Sequence, residues 1–188
     1  MELGIILLVI VVVLVLVGVL LYNGLVTKRN RVDEAVGQIE VQLKRRHDLV
    51  PNLIAAVKDY MGYEQEVLTR VTEARANAVA AGATGTVTQA QVQAENQLTG
   101  ALRSLFAVAE NYPQLKANEN VLALQEQLTT TENQISFARQ HYNATVNEYN
   151  TTIQTIPSVL IAGPLGFVRR EFFEAEPEAD QVPVVSLR

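Results

Sequence analysis

Leu3 to Leu21 is an unbroken run of 19 residues drawn only from Leu, Ile, Val and Gly. As a helix rising about 1.5 Å per residue it is about 28 Å long, close to the thickness of a bilayer's hydrocarbon core. Core helices of soluble proteins rarely go this far without a polar position, so lipid is the environment the run fits. A cleavable export signal has a basic start, a shorter apolar stretch and a small-residue cleavage site. Here the chain opens Met1-Glu2 and reads on into Tyr22-Asn23-Gly24. The reading is a retained single-pass anchor over residues 1–22. With no ionisable side chain inside the span, a proton relay or ion pathway has nothing to be built from.

The flanks set an expected orientation. Lys28, Arg29 and Arg31 lie within ten residues of the apolar end, while the other side offers Glu2 and the terminal amine. The positive-inside rule then places residues 22–188 in the cytoplasm, with Tyr22, Lys28, Arg29 and Arg31 at the membrane interface, where a polar-tipped ring and cations meet headgroups. Over the whole chain, 20 acids outnumber 15 bases, which argues against a general nucleic-acid binder. The absence of cysteine removes disulfides, thiolate catalysis and thiolate metal sites.

Beyond the anchor the apolar period is helical. Val32, Val36, Ile39 and Leu43 step by three and four, and the seam resumes through Val50, Leu53 or Ile54, Val57, Tyr60 or Met61, Glu64, Leu68 and Val71. Pro51 interrupts it by removing a helical donor and crowding the preceding turn. The stripe keeps phase, so the spacing predicts one long helix kinked at Pro51. Ala81-Gly82-Ala83-Thr84-Gly85 reads as a turn. Thr88, with Gln91 three residues on and Val87 and Val92 placed for a staple, predicts a helix start. That helix carries Leu98, Leu102, Leu105, Ala109 and Tyr112 and is expected to end at Pro113. A last long helix is expected from about Asn118, with a stripe from Val121 through Leu128, Thr131, Ile135, Tyr142 and Tyr149 to Ile153. Such regularity signals antiparallel bundle or coiled-coil packing.

After Ile156 the pattern fails at Pro157, Gly163, Pro164 and Gly166. Residues 157–173 are expected to form an irregular apolar segment lying on the bundle or on a neighbour. Residues 174–188, acidic and proline-containing, are expected to be a mobile tail. The predicted fold is all-α: a transmembrane helix, then an up-and-down antiparallel bundle over residues 23–156, of three long helices that the kink divides into four segments.

Catalytic chemistry finds little to start from. His47 and Asp48 are adjacent, and adjacent helical positions point about 100° apart rather than converging. His141 has Arg139 and Tyr142 beside it rather than metal ligands. Glu64, Glu66 and Glu73 suit a solvated face. Ser104, Ser136 and Ser158 lack a Gly-rich elbow or neighbouring base, and no phosphate loop occurs. The sequons at Asn143 and Asn150 matter only in a glycosylating compartment. No enzyme activity, metal or cofactor is expected.

Two groups are interaction candidates. Lys44-Arg45-Arg46 spreads three cations around a helix, which sets Arg46 on the apolar stripe, where it needs a carboxylate, a carbonyl or water. The favoured reading is an internal ion pair with the turn of Asp48 or with a partner helix, the alternative being anionic lipid or a partner protein. Asn143, Asn147 and Asn150 line the last helix with uncharged polar groups, which pair across an interface without the desolvation cost of charges.

The segments Tyr22-Asn23-Gly24-Leu25-Val26, Val41 to Arg46, Asp48 to Leu53, Glu73-Ala74-Arg75, Tyr112-Pro113, Leu115 to Asn118, Glu132 to Ile135, Tyr142-Asn143 and Tyr149-Asn150 together resemble the bacterial LemA family. The resemblance covers nearly the whole chain and extends to Phe167 and Phe172. It implies an anchored up-and-down helical bundle in the inner membrane. Similar proteins are associated with stress-response membrane proteases, with magnetosome membranes and with the source of a presented bacterial peptide. His141 departs from the family, whose members commonly carry an aromatic there. The function expected is a membrane-anchored, non-catalytic scaffold that self-associates and contacts lipid. The alternative is a regulatory or substrate-delivery partner of a membrane-bound metalloprotease.

Overall fold

The computed structural model describes residues 2–82 and 87–173. The described residues form six helices and no strand: α1 Glu2–Lys58, α2 Gln65–Ala81, α3 Gln89–Ala109, α4 Pro113–Lys116, α5 Glu119–Gln154 and α6 Val159–Ala162. The chain is all-α. The tail at 174–188 and most of the turn at Ala81–Gly85 lie outside the described residues. By contacts the fold divides into two units, one from the start of α1 to Gln38 together with Ala138–Phe172, the other from Ile39 to Phe137.

Helix α1 is 57 residues long, about 85 Å at 1.5 Å per residue. Its first part is apolar and unburied, and by length and composition it is able to cross a membrane. The same helix continues without a break to Lys58, so the apolar run and the first bundle strut are one element.

In the first unit the buried apolar side chains are Leu25, Val32 and Ala35 of α1 and Tyr142, Val146, Tyr149 and Ile153 of α5, with Ala162 and Phe167 beyond it. The segment after α6 is tied down by hydrogen bonds rather than by secondary structure. Tyr149 Oη donates to the Val168 carbonyl at 2.9 Å, and Tyr142 Oη donates to the Glu171 carbonyl at 2.8 Å. Asn150 holds both backbone groups of Arg170, at 2.9 Å each. Burial pushes the phenols of Tyr142 and Tyr149 above their ordinary value, keeping both as neutral donors. On its other side the segment climbs α1, from Phe167 beside Tyr22 and Arg29 to Arg170 paired with Asp33 at 3.0 Å. One strand of chain thus ascends α1 while descending α5, which fixes those helices as antiparallel.

The second unit closes an apolar core in which Val50, Leu53 and Val57 of α1 meet Leu68, Val71 and Ala74 of α2 and Leu98, Leu102 and Leu105 of α3. Thr88 caps α3, its hydroxyl accepting from the Gln91 N–H at 3.2 Å. Asn118 Oδ1 caps α5 by accepting from the amides of Asn120 and Val121. Helix α3 stops at Ala109, before Pro113, which instead occupies the first turn of α4, where its missing donor costs nothing.

The spacing predicted one long helix continuing past Pro51; the helix does continue through Pro51 but breaks after Lys58, and α2 starts at Gln65. A helix kept in phase beyond Lys58 would carry Leu68, Val71 and Ala74 away from Val50 and Leu53; the turn at 59–64 brings them back into one core, with Met61 fully buried in the turn. Pro51 is tolerated because its effect is compensated. It has no N–H for the carbonyl of His47, four residues earlier, and Arg75 of α2 donates Nε to that carbonyl at 2.7 Å.

Candidate functional site

The densest set of chemistry-bearing side chains in the second unit surrounds Arg46, whose side chain is 0% exposed. Helix α1 presents Arg46 on the same stripe as Leu43 and Val50, so folding buries it with them. Its Nη1 donates to Thr99 Oγ1 at 2.8 Å and to Glu132 Oε2 at 2.7 Å. Its Nη2 bonds Glu95, also fully buried. Thr99 Oγ1 is 3.0 Å from Glu132 Oε1 and completes the ring. One guanidinium therefore bolts α1 to α3 and α5. The fixed fork of Arg serves this better than the point charge of Lys.

His47 extends the cluster, its Nε2 3.0 Å from Glu95 Oε1, a hydrogen bond when that nitrogen carries a proton. Burial pushes the Glu95 carboxyl up, but the His47 hydrogen bond and the Arg46 charge outweigh it and hold the group below the ordinary carboxylate range. A cleft of about 380 Å³ lined by Glu40, Lys44, His47, Gln91 and Glu95 opens beside the pair. The described residues contain no group of three or more His, Asp or Glu placed to hold a metal ion.

The basic triplet is thus split. Arg46 is internal, with a partner helix rather than with the turn of Asp48, and is not offered to lipid or to a partner protein. Lys44 and Arg45 are exposed, Lys44 lying 3.6 Å from Asp48 in an i,i+4 pair. The asparagine set is split as well. Asn147 is exposed and Asn143 half-buried, while Asn150 is buried and spent on Arg170. Asn150 therefore drops out as an interface residue. Its two bonds to the following segment are what sequence spacing could not show.

In the first unit, the ring of Tyr22 meets Phe167 edge-on, centroids 6.0 Å apart, and the Arg29 guanidinium lies 5.3 Å from the centre of the same ring. Lys28 pairs with Glu148 of α5, whose carboxyl is held below its ordinary range by that hydrogen bond and charge. Arg31 stays exposed.

Glu95, Thr99, Glu132 and Arg75 are cluster residues that the sequence reading missed. The signal for Glu95 was present: counting back from Leu98 by three gives Glu95 and then Val92, so α3, like α1, carries a charge on its apolar stripe.

A family model described as the LemA family matches residues 35–187. Among similar proteins, magnetosome protein MamQ 2 of Paramagnetospirillum magneticum is 26% identical over 187 residues, covering 88% of this chain and 68% of its own. Magnetosome protein MamQ of Magnetospirillum gryphiswaldense is 25% identical with the same coverage. Protein LemA of Metamycoplasma hominis is 25% identical over 162 residues, covering 86% of this chain and 72% of its own.

Proposed function

We propose that this chain, which belongs to the LemA family, is a non-catalytic scaffold anchored in the bacterial inner membrane, with its bundle on the cytoplasmic side, that self-associates through the outward face of α5. In this reading residues 1–22 are the anchor, 23–156 the bundle and 157–173 an apolar segment laid on it. The observation that carries it is the make-up of α5. Between Thr129 and Asn147 the exposed positions are Thr129, Thr130, Asn133, Ser136, Phe137, Gln140, His141, Ala144 and Asn147, with no Lys, Arg, Asp or Glu among them. Phe137 stands 71% exposed in the middle of that face. An uncharged polar surface around one aromatic anchor has the composition of an interface, where charges are depleted at the centre and aromatics enriched. On the inner side of α5, Glu132 pairs with Arg46 of α1 near the start of that face.

The test places charge on the face. Phe137→Lys combined with Asn147→Lys, both at exposed positions, should convert the detergent-solubilised full chain from oligomer to monomer in sedimentation while leaving its helicity unchanged. An unaltered sedimentation profile refutes self-association through α5. A one-to-one complex with a membrane protease, insensitive to these substitutions, would favour the regulatory reading instead.

A further inference from the structure

Among the described residues outside the anchor, the largest group of apolar side chains left in the open lies at one place, the turn that follows α5. Ile156 is 83% exposed, Leu160 71% and Leu165 51%, and Val159 adds to them. Between Glu148 and Arg169 the chain carries no Asp, Glu, Lys, Arg or His. Soluble surfaces scatter apolar side chains singly; a contiguous, charge-free group of large ones marks a contact.

The position of this turn follows from the ion pair of Lys28 with Glu148 and the antiparallel run of α1 and α5. Six residues beyond Glu148, about 9 Å of helix, Gln154 ends α5. Six residues back from Lys28 is Tyr22, the first residue after the apolar run. Ile156 and α6 therefore come level with the last residues of that run. Two further observations agree. Phe167, at the exit of the turn, touches Tyr22, and the first residues of α1 to lose exposure are Gly18 and Leu21. The exposed apolar turn and the exposed apolar helix thus form one continuous surface, edged by Arg29 over Phe167 and by the exposed Arg169.

We propose that the turn 156–165 is a second membrane contact, seated in the headgroup and upper acyl region of the bilayer beside the anchor. This rests on the reading of residues 3–21 as a membrane span. A surface that enters lipid at one edge, without a charge for 20 residues, has its remaining apolar side chains satisfied by the same lipid. Apolar groups of interfacial elements reach about 5–10 Å into the bilayer. Ile156 and Leu160 would point into that layer, with Arg29 and Arg169 among the phosphates. Two attachments instead of one would prevent the long α1 strut from rotating about its own axis.

The chain has no tryptophan, so a single introduced one reports without background. Leu160→Trp and, separately, Ile156→Trp replace exposed side chains; Tyr63→Trp, at a fully exposed position, is the reference. Full-length proteins with unchanged circular dichroism are reconstituted into phosphatidylcholine vesicles. The proposal expects both turn probes to lose most of their emission to lipids brominated high on the acyl chain, with iodide quenching several-fold weaker than at Tyr63→Trp. Iodide access equal to the reference overturns it. Protection from iodide without quenching by brominated lipid also overturns it, and points to a second copy of the chain over the turn. Retention on the vesicles in alkaline carbonate reads the anchor separately. A chain released by carbonate refutes the span itself, whereas a retained chain with water-exposed probes refutes only the seated turn.

Discussion

Removing the Arg46 guanidinium should cost far more than removing any surface charge, and the structure allows the cost to be worked. Arg46→Ala strands Glu95, which is fully buried and left with only His47. A stranded carboxyl takes up a proton rather than stay charged. From the ordinary value of 4.5, that costs about 3.4 kcal/mol at pH 7, at about 1.36 kcal/mol per unit. Glu132 and Thr99 lose their donor too, but Glu132 is 37% exposed and recovers water. The total is about 3–5 kcal/mol, the range for breaking a buried pair from one side. At roughly 2–4 °C per kcal/mol for a chain of this size, the melting point should fall by about 10 °C. The assay is thermal melting of the full chain in detergent, followed by circular dichroism. Arg46→Met keeps the stem's packing and separates charge from volume. Arg46→Met with Glu95→Leu should recover at least about 1 kcal/mol over Arg46→Met alone, since a buried pair replaced by apolar groups is often neutral. A melting point for Arg46→Ala within two degrees of wild type, or a double variant no better than the single, would refute the bolt.

Other consequences can be checked independently. Arg75→Met should destabilise by about 1–3 kcal/mol because it orphans the His47 carbonyl; in a Pro51→Ala background, where the amide returns, a double-mutant cycle should show most of that cost gone, and a cost that stays equal removes the compensation argument. Glu95 is held below the ordinary carboxylate range, so its contribution is fully present above about pH 4.5 and disappears as pH falls through its lower folded value. Acid titration of melting points should accordingly show a steeper loss for wild type than for Glu95→Gln, and parallel curves would contradict it. Asn150→Ala should release the Arg170 amide, seen as accelerated hydrogen exchange there with α5 still protected. Protease added to spheroplasts should leave residues 22–188 intact, and digestion of the bundle from outside would reverse the orientation.

Much of the architecture was legible because it is written in period and punctuation. The uncharged run up to Leu21, the Thr88 cap and the Asn118 start depend on local chemistry, and local chemistry is what a sequence displays. The end of α1 was not legible. Pro51 is the strongest breaker in the stretch, yet Arg75, 24 residues away in sequence, supplies the donor partner that lets the helix continue; Asp59 to Glu64, marked only by Gly62, turns because the core requires α2 to return. The position of Arg46 on an apolar stripe announced a buried cation. Its partners could not be chosen, since Glu95 and Glu132 are brought to it by the packing of α3 and α5. Asn150 illustrates the converse: its neighbours suggested an outward polar face, and one residue's rotation around α5 puts it inside, on Arg170.

The most direct test of the scaffold account is to extract the full chain from its native membrane in mild detergent and measure the mass and composition of what comes out. The account predicts a particle containing several copies of the 20.7 kDa chain and no second protein in stoichiometric amount. A monomer, or a fixed one-to-one complex with a membrane protease, would contradict it.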